Sequence, residues 1–404
     1  MRVGVIIPGS AETEGGGHVI ERDLLDALVA AMPRASHEFV LFGGTETSER
    51  PLPANARYCP LYPRDALPSR LKRRASRVAK SARDLATNPA ALGGALAPAT
   101  PPWVLERERI EFLVHLQPFV AALDIPFLMF VWDVEHRVQP YFPELSAGGE
   151  WERRERLYTT TLPRAAVVVT GTRDGRDQLE RLYDVAPERI ALIPHPTPSD
   201  ALALAEELRR PPTSQRASDT PFLLYPAQFW PHKNHVGLLA ALRILADRND
   251  LRPKLVLVGA DKGNRAHVER VARDLGLSAQ VSFPGFIARR ELLRLYTQAG
   301  ALVYPTTFGP ENLPPLEAFA LDCPVVASNV PGADEQLGDA ALLVDPHDHA
   351  ALAEAIRRVL TDEPLRGTLI ERGRERATRT TAASAADALL ACVDRFAPVR
   401  RLWP

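Results

Sequence analysis

The stretch Tyr304-Pro305-Thr306-Thr307-Phe308-Gly309-Pro310-Glu311-Asn312-Leu313-Pro314-Pro315-Leu316-Glu317-Ala318 decides how this chain folds. The run Ala301 to Tyr304 that leads into it is short and apolar, as a strand covered on both faces must be. From Leu316 to Leu321 the spacing predicts a helix, with Pro314 and Pro315 at its start, where a missing N–H costs nothing. Strand, Gly/Pro loop and helix in that order form the repeating unit of a parallel α/β sheet. A helix start also presents free backbone N–H groups and the positive end of the dipole, which suits a diphosphate. The prolines donate nothing, so the candidate donors are the amides of Asn312, Leu313, Leu316 and Glu317.

The same alternation runs outward on both sides. Strands are expected at Phe222 to Tyr225, Leu255 to Val258, Val281 to Phe283, Ala301 to Tyr304, Val325 to Ala327 and Ala341 to Val344, with helices at Val236 to Ala246, Val268 to Leu275 and Leu292 to Ala299. An earlier series holds Val3 to Ile7, a glycine turn at Gly15-Gly16-Gly17, a helix over Ile20 to Ala30, and strands at Glu38 to Phe42, Phe112 to His115, Phe127 to Val131, Val167 to Val169 and Ala191 to Ile193. Between the two series lies a Pro-rich, polar passage. The expected division is therefore a first domain over 1–195, a linker over 196–220 and a second domain over 221–384, with a closing helix over 385–404 that packs back on the first domain. The fold class is α/β, with two facing Rossmann-like domains and a cleft between open sheets, whose ligands bind outside the carboxyl ends of the strands.

Composition narrows the function. With 404 residues, 46% hydrophobic and 25% charged, the chain is neither disordered nor a membrane bundle. A net charge of −1 excludes nucleic-acid binding by overall charge. Cys59, Cys323 and Cys392 are too scattered for a disulfide framework or a zinc set, and no metal requirement is expected. A cytoplasmic location fits this cysteine usage and the short apolar run at the start. One segment departs from the average: Arg70 to Arg83 carries seven cations and no acid at helical spacing. It reads as a basic amphipathic helix: a solvated insertion, a peripheral contact with an anionic inner membrane face or a phosphorylated acceptor, or a nucleic-acid contact.

A second strand-to-helix passage, Tyr225-Pro226-Ala227-Gln228-Phe229-Trp230-Pro231-His232-Lys233-Asn234-His235, puts a lysine where the helix dipole disfavours it, a hint that an anion is expected nearby. Together, in this order, these segments resemble the family 4 retaining glycosyltransferases of the GT-B fold. Further matching features are Pro187-Glu188-Arg189-Ile190, Pro284-Gly285-Phe286, Pro331-Gly332-Ala333-Asp334-Glu335 and the closing helix. The resemblance covers nearly the whole chain. It implies transfer of a hexose from a nucleotide-diphosphate sugar, a co-substrate and not a bound cofactor, to a glycan, polyprenol-linked or small-molecule acceptor. It implies that Lys233 contacts the diphosphate, that Glu317 binds the ribose and that Phe286 lies near the base. Gln228, Gly309, Asn312 and Leu313 complete the donor side. Gly16, Gly17, Trp132 and His136 form the acceptor side, with His136 and Glu311 beside Lys233 as candidates at the reacting centre.

Two positions depart from the family pattern. Gln228 stands where an arginine is common, and Gly309 where the first glutamate of an E-x7-E pair is common, with Glu311 displaced by two. These departures keep a catalytically silent nucleotide-sugar-binding protein as an alternative. A nicotinamide-dependent dehydrogenase is disfavoured, because Gly15-Gly16-Gly17-His18 does not give G-x-G-x-x-G.

Overall fold

A computed structural model describes residues 1–7, 16–44, 50–60, 102–118, 120, 124–209, 222–249, 251–309 and 311–402. Gly15, the basic stretch from Arg70 to Arg83, the polar segment Pro211 to Ser218 and Pro310 lie outside the described residues. The chain divides into two compact units. The first comprises 1–171, 175–193 and 383–404, and the second 172–174 and 194–382.

The first unit holds seven parallel strands: β1 (Arg2–Ile6), β2 (Glu38–Gly43), β3 (Ala56–Pro60), β4 (Phe112–His115), β5 (Phe127–Phe130), β6 (Val167–Thr170) and β7 (Ile190–Leu192), in the order β3-β2-β1-β4-β5-β6-β7. β3 is not among the strands expected from sequence. Its residues Ala56-Arg57-Tyr58-Cys59-Pro60 lack an apolar run, because an edge strand needs only one covered side and here buries only Cys59. The central strands have the opposite character. β4 and β5 are buried at every residue, and Phe127, Met129, Val131 and Val168 pack with Val104 and Leu162 in one core. The helix Ala382–Arg400 completes this unit: Phe396 packs on Phe112 with ring centroids 5.0 Å apart, and Asp394 lies 2.9 Å from the buried ring of His37.

The second unit holds six parallel strands: β8 (Phe222–Pro226), β9 (Lys254–Val258), β10 (Val281–Gly285), β11 (Ala301–Tyr304), β12 (Val325–Ser328) and β13 (Ala341–Val344), in the order β10-β9-β8-β11-β12-β13. Between them run the helices His235–Asn249, Arg265–Asp274, Arg289–Gln298 and Leu313–Ala320. The helix Ser199–Arg209, inside the stretch expected as linker, belongs to this unit and is held by Asp200, which receives a bidentate bond from Arg289 at 2.8 and 2.9 Å. β8 is flanked by β9 on one side and β11 on the other, so the chain winds outward in both directions from this point. That reversal opens a crevice at the carboxyl ends of β8 and β11. The loops leaving those two strands are the ones that carry Lys233 and Asn312.

Candidate functional site

Lys233 follows β8 in a single 3-10 turn, Pro231–Lys233, and Tyr304 is the last residue of β11. The lysine ammonium donates to the Tyr304 hydroxyl at 3.2 Å and to Asn312 Oδ1 at 3.5 Å. The Tyr304 hydroxyl in turn donates to Asn312 Oδ1 at 3.0 Å, and Asn312 Nδ2 donates to the Gly309 carbonyl at 2.7 Å. Lys233, Gly309 and Asn312 thus meet in one cluster. The tyrosine that joins them carries no sequence signal beyond its place at a strand end. Both side-chain partners of the ammonium are neutral, and among the described residues Lys233 forms no ion pair. A half-buried cation without a counter-ion is an anion site in waiting.

The turn that carries Lys233 is rigidly held. The buried hydroxyl of Tyr225 donates to the Lys233 carbonyl at 2.6 Å. The His232 carbonyl accepts from the Thr307 amide at 2.9 Å and the Thr307 hydroxyl at 3.0 Å, while the His232 ring stacks on Phe308 at 4.0 Å. His235 sits below, 1% exposed, stacked on Phe229 at 4.6 Å, and burial reinforced by the Lys233 charge lowers its pKa to about 3.

Gly309 has φ +101°, a conformation that side chains rarely adopt. Glycine here suits this loop's backbone, where an acidic side chain would be strained. Glu311, two residues on, turns away from the lysine: its side chain is 4% exposed and accepts from the His195 amide at 2.7 Å, with the His195 ring 3.8 Å away. Of the candidate donor amides, that of Asn312 is taken by Gln336 Oε1 at 2.9 Å. Leu313 opens the helix and is buried.

Gln228 is half-buried, with its amide oxygen accepting from the Trp230 indole at 2.9 Å, and Lys262 lies over the Trp230 ring at 5.6 Å. Phe286, in the loop after β10, is 56% exposed, unusual for a phenylalanine in this chain. Glu317 is 3% exposed. One carboxylate oxygen accepts from Arg289 at 2.5 Å and the other from the Tyr296 hydroxyl at 2.6 Å. Arg289 lies 28 residues from Glu317, so no local motif announces it.

In the first unit, a side chain on Gly17 would meet the Trp132 ring at 3.0 Å, so the glycine admits the indole against the start of the helix Gly16–Ala31. Gly16 is exposed and the Trp132 indole N–H has no acceptor among the described residues. His136 is placed elsewhere. It is fully buried, its Nε2 3.0 Å from the Tyr183 hydroxyl and 3.4 Å from Glu155, and burial lowers its pKa. Its ring therefore ties the loop 132–137 to the helices behind and does not lie open to a ligand. No group of His, Cys, Asp or Glu able to hold a metal occurs among the described residues, and no helix there is long and apolar enough to cross a membrane.

Two doubly wound units, the second with a half-buried lysine at its switch point that forms no ion pair among the described residues, give the chain the GT-B fold. Residues 208–376 match the family described as glycosyl transferases group 1. The chain is similar to the O-antigen chain mannosyltransferase RfbU of Salmonella typhimurium, 26% identical over 258 residues, 64% of this chain and 68% of that protein. The alignments with the first three curated relatives span from 52% to 68% of their own lengths. Among solved structures, a sucrose-phosphate synthase from Thermosynechococcus elongatus superposes with TM-score 0.66 at 22% identity over 98% of this chain and 99% of its own. Anabaena Alr3699/HepE in complex with UDP and glucose superposes with TM-score 0.63 at 16% identity, over 98% of this chain and all of its own. These matches support a glycosyltransferase of group 1.

Proposed function

We propose that this chain is a retaining, family 4 hexosyltransferase that uses a nucleotide-diphosphate sugar. The observation that carries the reading is the ammonium of Lys233 at the carboxyl ends of β8 and β11, braced by Tyr304 and Asn312 and without an ion pair among the described residues. The O-antigen mannosyltransferase relative and the neighbour crystallised with UDP and glucose support a nucleotide-sugar donor and a glycan or lipid-linked acceptor.

In this reading Lys233 neutralises the diphosphate as the C1–O bond to it breaks, with the Leu313 amide, Asn312, Gln228 and the Gly309 loop around the same phosphates. The acceptor hydroxyl oxygen bonds to C1 on the face the diphosphate leaves, and its proton passes to the departing phosphate oxygen. Electrostatic stabilisation of the leaving group then carries the catalysis, worth several kcal/mol, and no carboxylate pair is required. Phe286 lies by the base. Glu317 takes the ribose hydroxyls: each of its oxygens keeps a second lone pair beyond those used by Arg289 and Tyr296. Glu311 acts at one remove, by holding the loop through His195. Gly16, Gly17 and Trp132 face the acceptor, with His136 fixing their loop from behind. The Arg70 to Arg83 stretch is assigned to the acceptor side, as a contact for an anionic inner membrane face, in an enzyme placed in the cytoplasm and working in polysaccharide assembly.

The test is a panel of nucleotide sugars read by melting shifts. A true donor at 100 times its Kd adds about 2.7 kcal/mol, and a hexose must then leave it when acceptor is supplied. Binding without turnover would select the silent nucleotide-sugar-binding protein; no binding at all would end both readings.

A further inference from the structure

Asn234, the residue after the candidate lysine, occupies an unusual position. Its φ of +52° and ψ of +37° are left-handed, a region that asparagine tolerates better than most side chains. Its amide makes three bonds to three different segments. Nδ2 donates to the Pro305 carbonyl at 3.1 Å and to the Pro346 carbonyl at 2.9 Å, and Oδ1 accepts from the Gly237 amide at 3.1 Å. Pro305 directly follows β11 and Pro346 lies two residues past β13, while Gly237 is in the first turn of the helix His235–Asn249. One side chain therefore fastens the carboxyl ends of two strands and the first turn of one helix around the turn that ends in Lys233.

The sequence makes room for this amide at a cost elsewhere. A Cβ on Gly237 would lie 2.5 Å from Asn234 Oδ1 and 2.7 Å from Nδ2. Glycine within a helix is unfavourable relative to alanine, so its presence there is explained by the space the asparagine needs. A helix cap alone would call for Oδ1 only. The two donated bonds to proline carbonyls serve the loops and not the helix.

We propose that Asn234 is the positioning residue for Lys233: by tying the ends of β11 and β13 to the Lys233 turn, it holds the ammonium where an anionic ligand meets it. This rests on the reading of Lys233 as a contact for the donor diphosphate. A merely structural role and a positioning role predict different outcomes. Gly237→Ala gains helix propensity but displaces the Asn234 amide from its three bonds, so a structural role alone predicts a lowered melting temperature with unchanged ligand affinity. Positioning predicts that ligand affinity is lost as well.

The experiment titrates UDP, GDP, ADP and dTDP calorimetrically into the full chain and into Asn234→Gly, Gly237→Ala, Lys233→Ala and the two double variants that carry Lys233→Ala. Asn234→Gly and Gly237→Ala should each weaken the best-bound diphosphate at least about fivefold, and in the Lys233→Ala background that loss should shrink to less than about twofold, as coupled residues require. An equal loss in both backgrounds, or no loss in either variant, overturns the assignment of Asn234 while the reading of Lys233 stands. No binding of any diphosphate by the unmodified chain, or no effect of Lys233→Ala by itself, overturns both.

Discussion

The two units solve the same problem differently at the loops after their central strands. After β5 the first unit gathers several charges into ion pairs. Arg154 reaches Asp133 at 2.9 Å and Glu150 at 2.7 Å, and Glu155 accepts from Arg137 and from Tyr183, which also meets His136. After β8 and β11 the second unit gathers few charges and leaves its lysine with neutral partners. A closed network of paired charges fixes a backbone and has nothing left to offer a ligand. A cation held by a tyrosine and an asparagine is equally well fixed but retains its electrostatic demand. Pairing prevails at the loop after β5 and an open charge at the loops after β8 and β11, and substitutions at the two places should separate stability from diphosphate affinity accordingly.

The largest effect is expected from breaking the closed network. Arg154→Ala leaves Asp133 without its partner, while Glu150 keeps Arg153, and should cost about 2 kcal/mol in denaturant unfolding, with nucleoside diphosphate affinity unchanged; a loss of affinity equal to that of Lys233→Ala would erase the contrast. Next comes Lys233→Ala, which should lower turnover at least about tenfold, about 1.4 kcal/mol, at an unchanged melting temperature. Unaltered kinetics at saturating acceptor would remove the lysine from the site. Its companion Glu317→Gln should weaken nucleoside diphosphate and intact donor by similar factors, because both carry the ribose.

A pH series sharpens the comparison further. His235 has its pKa lowered to about 3 by burial, with the Lys233 charge adding to it. Between pH 6.5 and about 3 the unfolded chain takes up a proton that the native chain refuses, so stability falls as the pH falls, by up to about 1.4 kcal/mol per pH unit from this ring. His235→Leu should flatten the slope of melting temperature between pH 7 and pH 5; an identical slope would assign the effect to other histidines. The smallest change belongs to the exposed ion pair of Arg34 with Asp387, where Asp387→Asn should cost no more than about 0.5 kcal/mol. A larger loss would show that the closing helix depends on that contact more than on Phe396.

The sheets were legible because buried parallel strands must be continuous apolar runs, and Val167 to Val169 or Ala301 to Tyr304 can hardly be anything else. β3 was not legible, since an edge strand that buries one cysteine need not look like a strand. Glycine and proline at Gly309 and Pro314 marked the loop and helix start, since backbone geometry there is a local property. The partners of Glu317 and Lys233 were hidden. Arg289, Tyr296 and Tyr304 come to them from other strands and helices, and only packing brings them close. His136 illustrates the converse: a histidine after a strand end reads as available, and the aromatic rings of Trp151 and Tyr158 that enclose it leave no mark near it in the sequence. Gly237 was the one overlooked local signal, a glycine in a helix where nothing but a neighbouring side chain requires it.

The closing helix has a consequence for how the protein is made. Because residues 383–404 belong to the first unit, the chain leaves that unit at residue 193 and returns to it only at its end. During synthesis at roughly 5 to 20 residues per second, the interval between those two points is on the order of 10 to 40 s. For that time the surface around Phe112 and His37 lacks its cover, while residues 194 to 382 are being made. A chain cut before residue 383 would therefore keep the whole of its second unit and lack, in its first, the helix that carries Asp394 and Phe396.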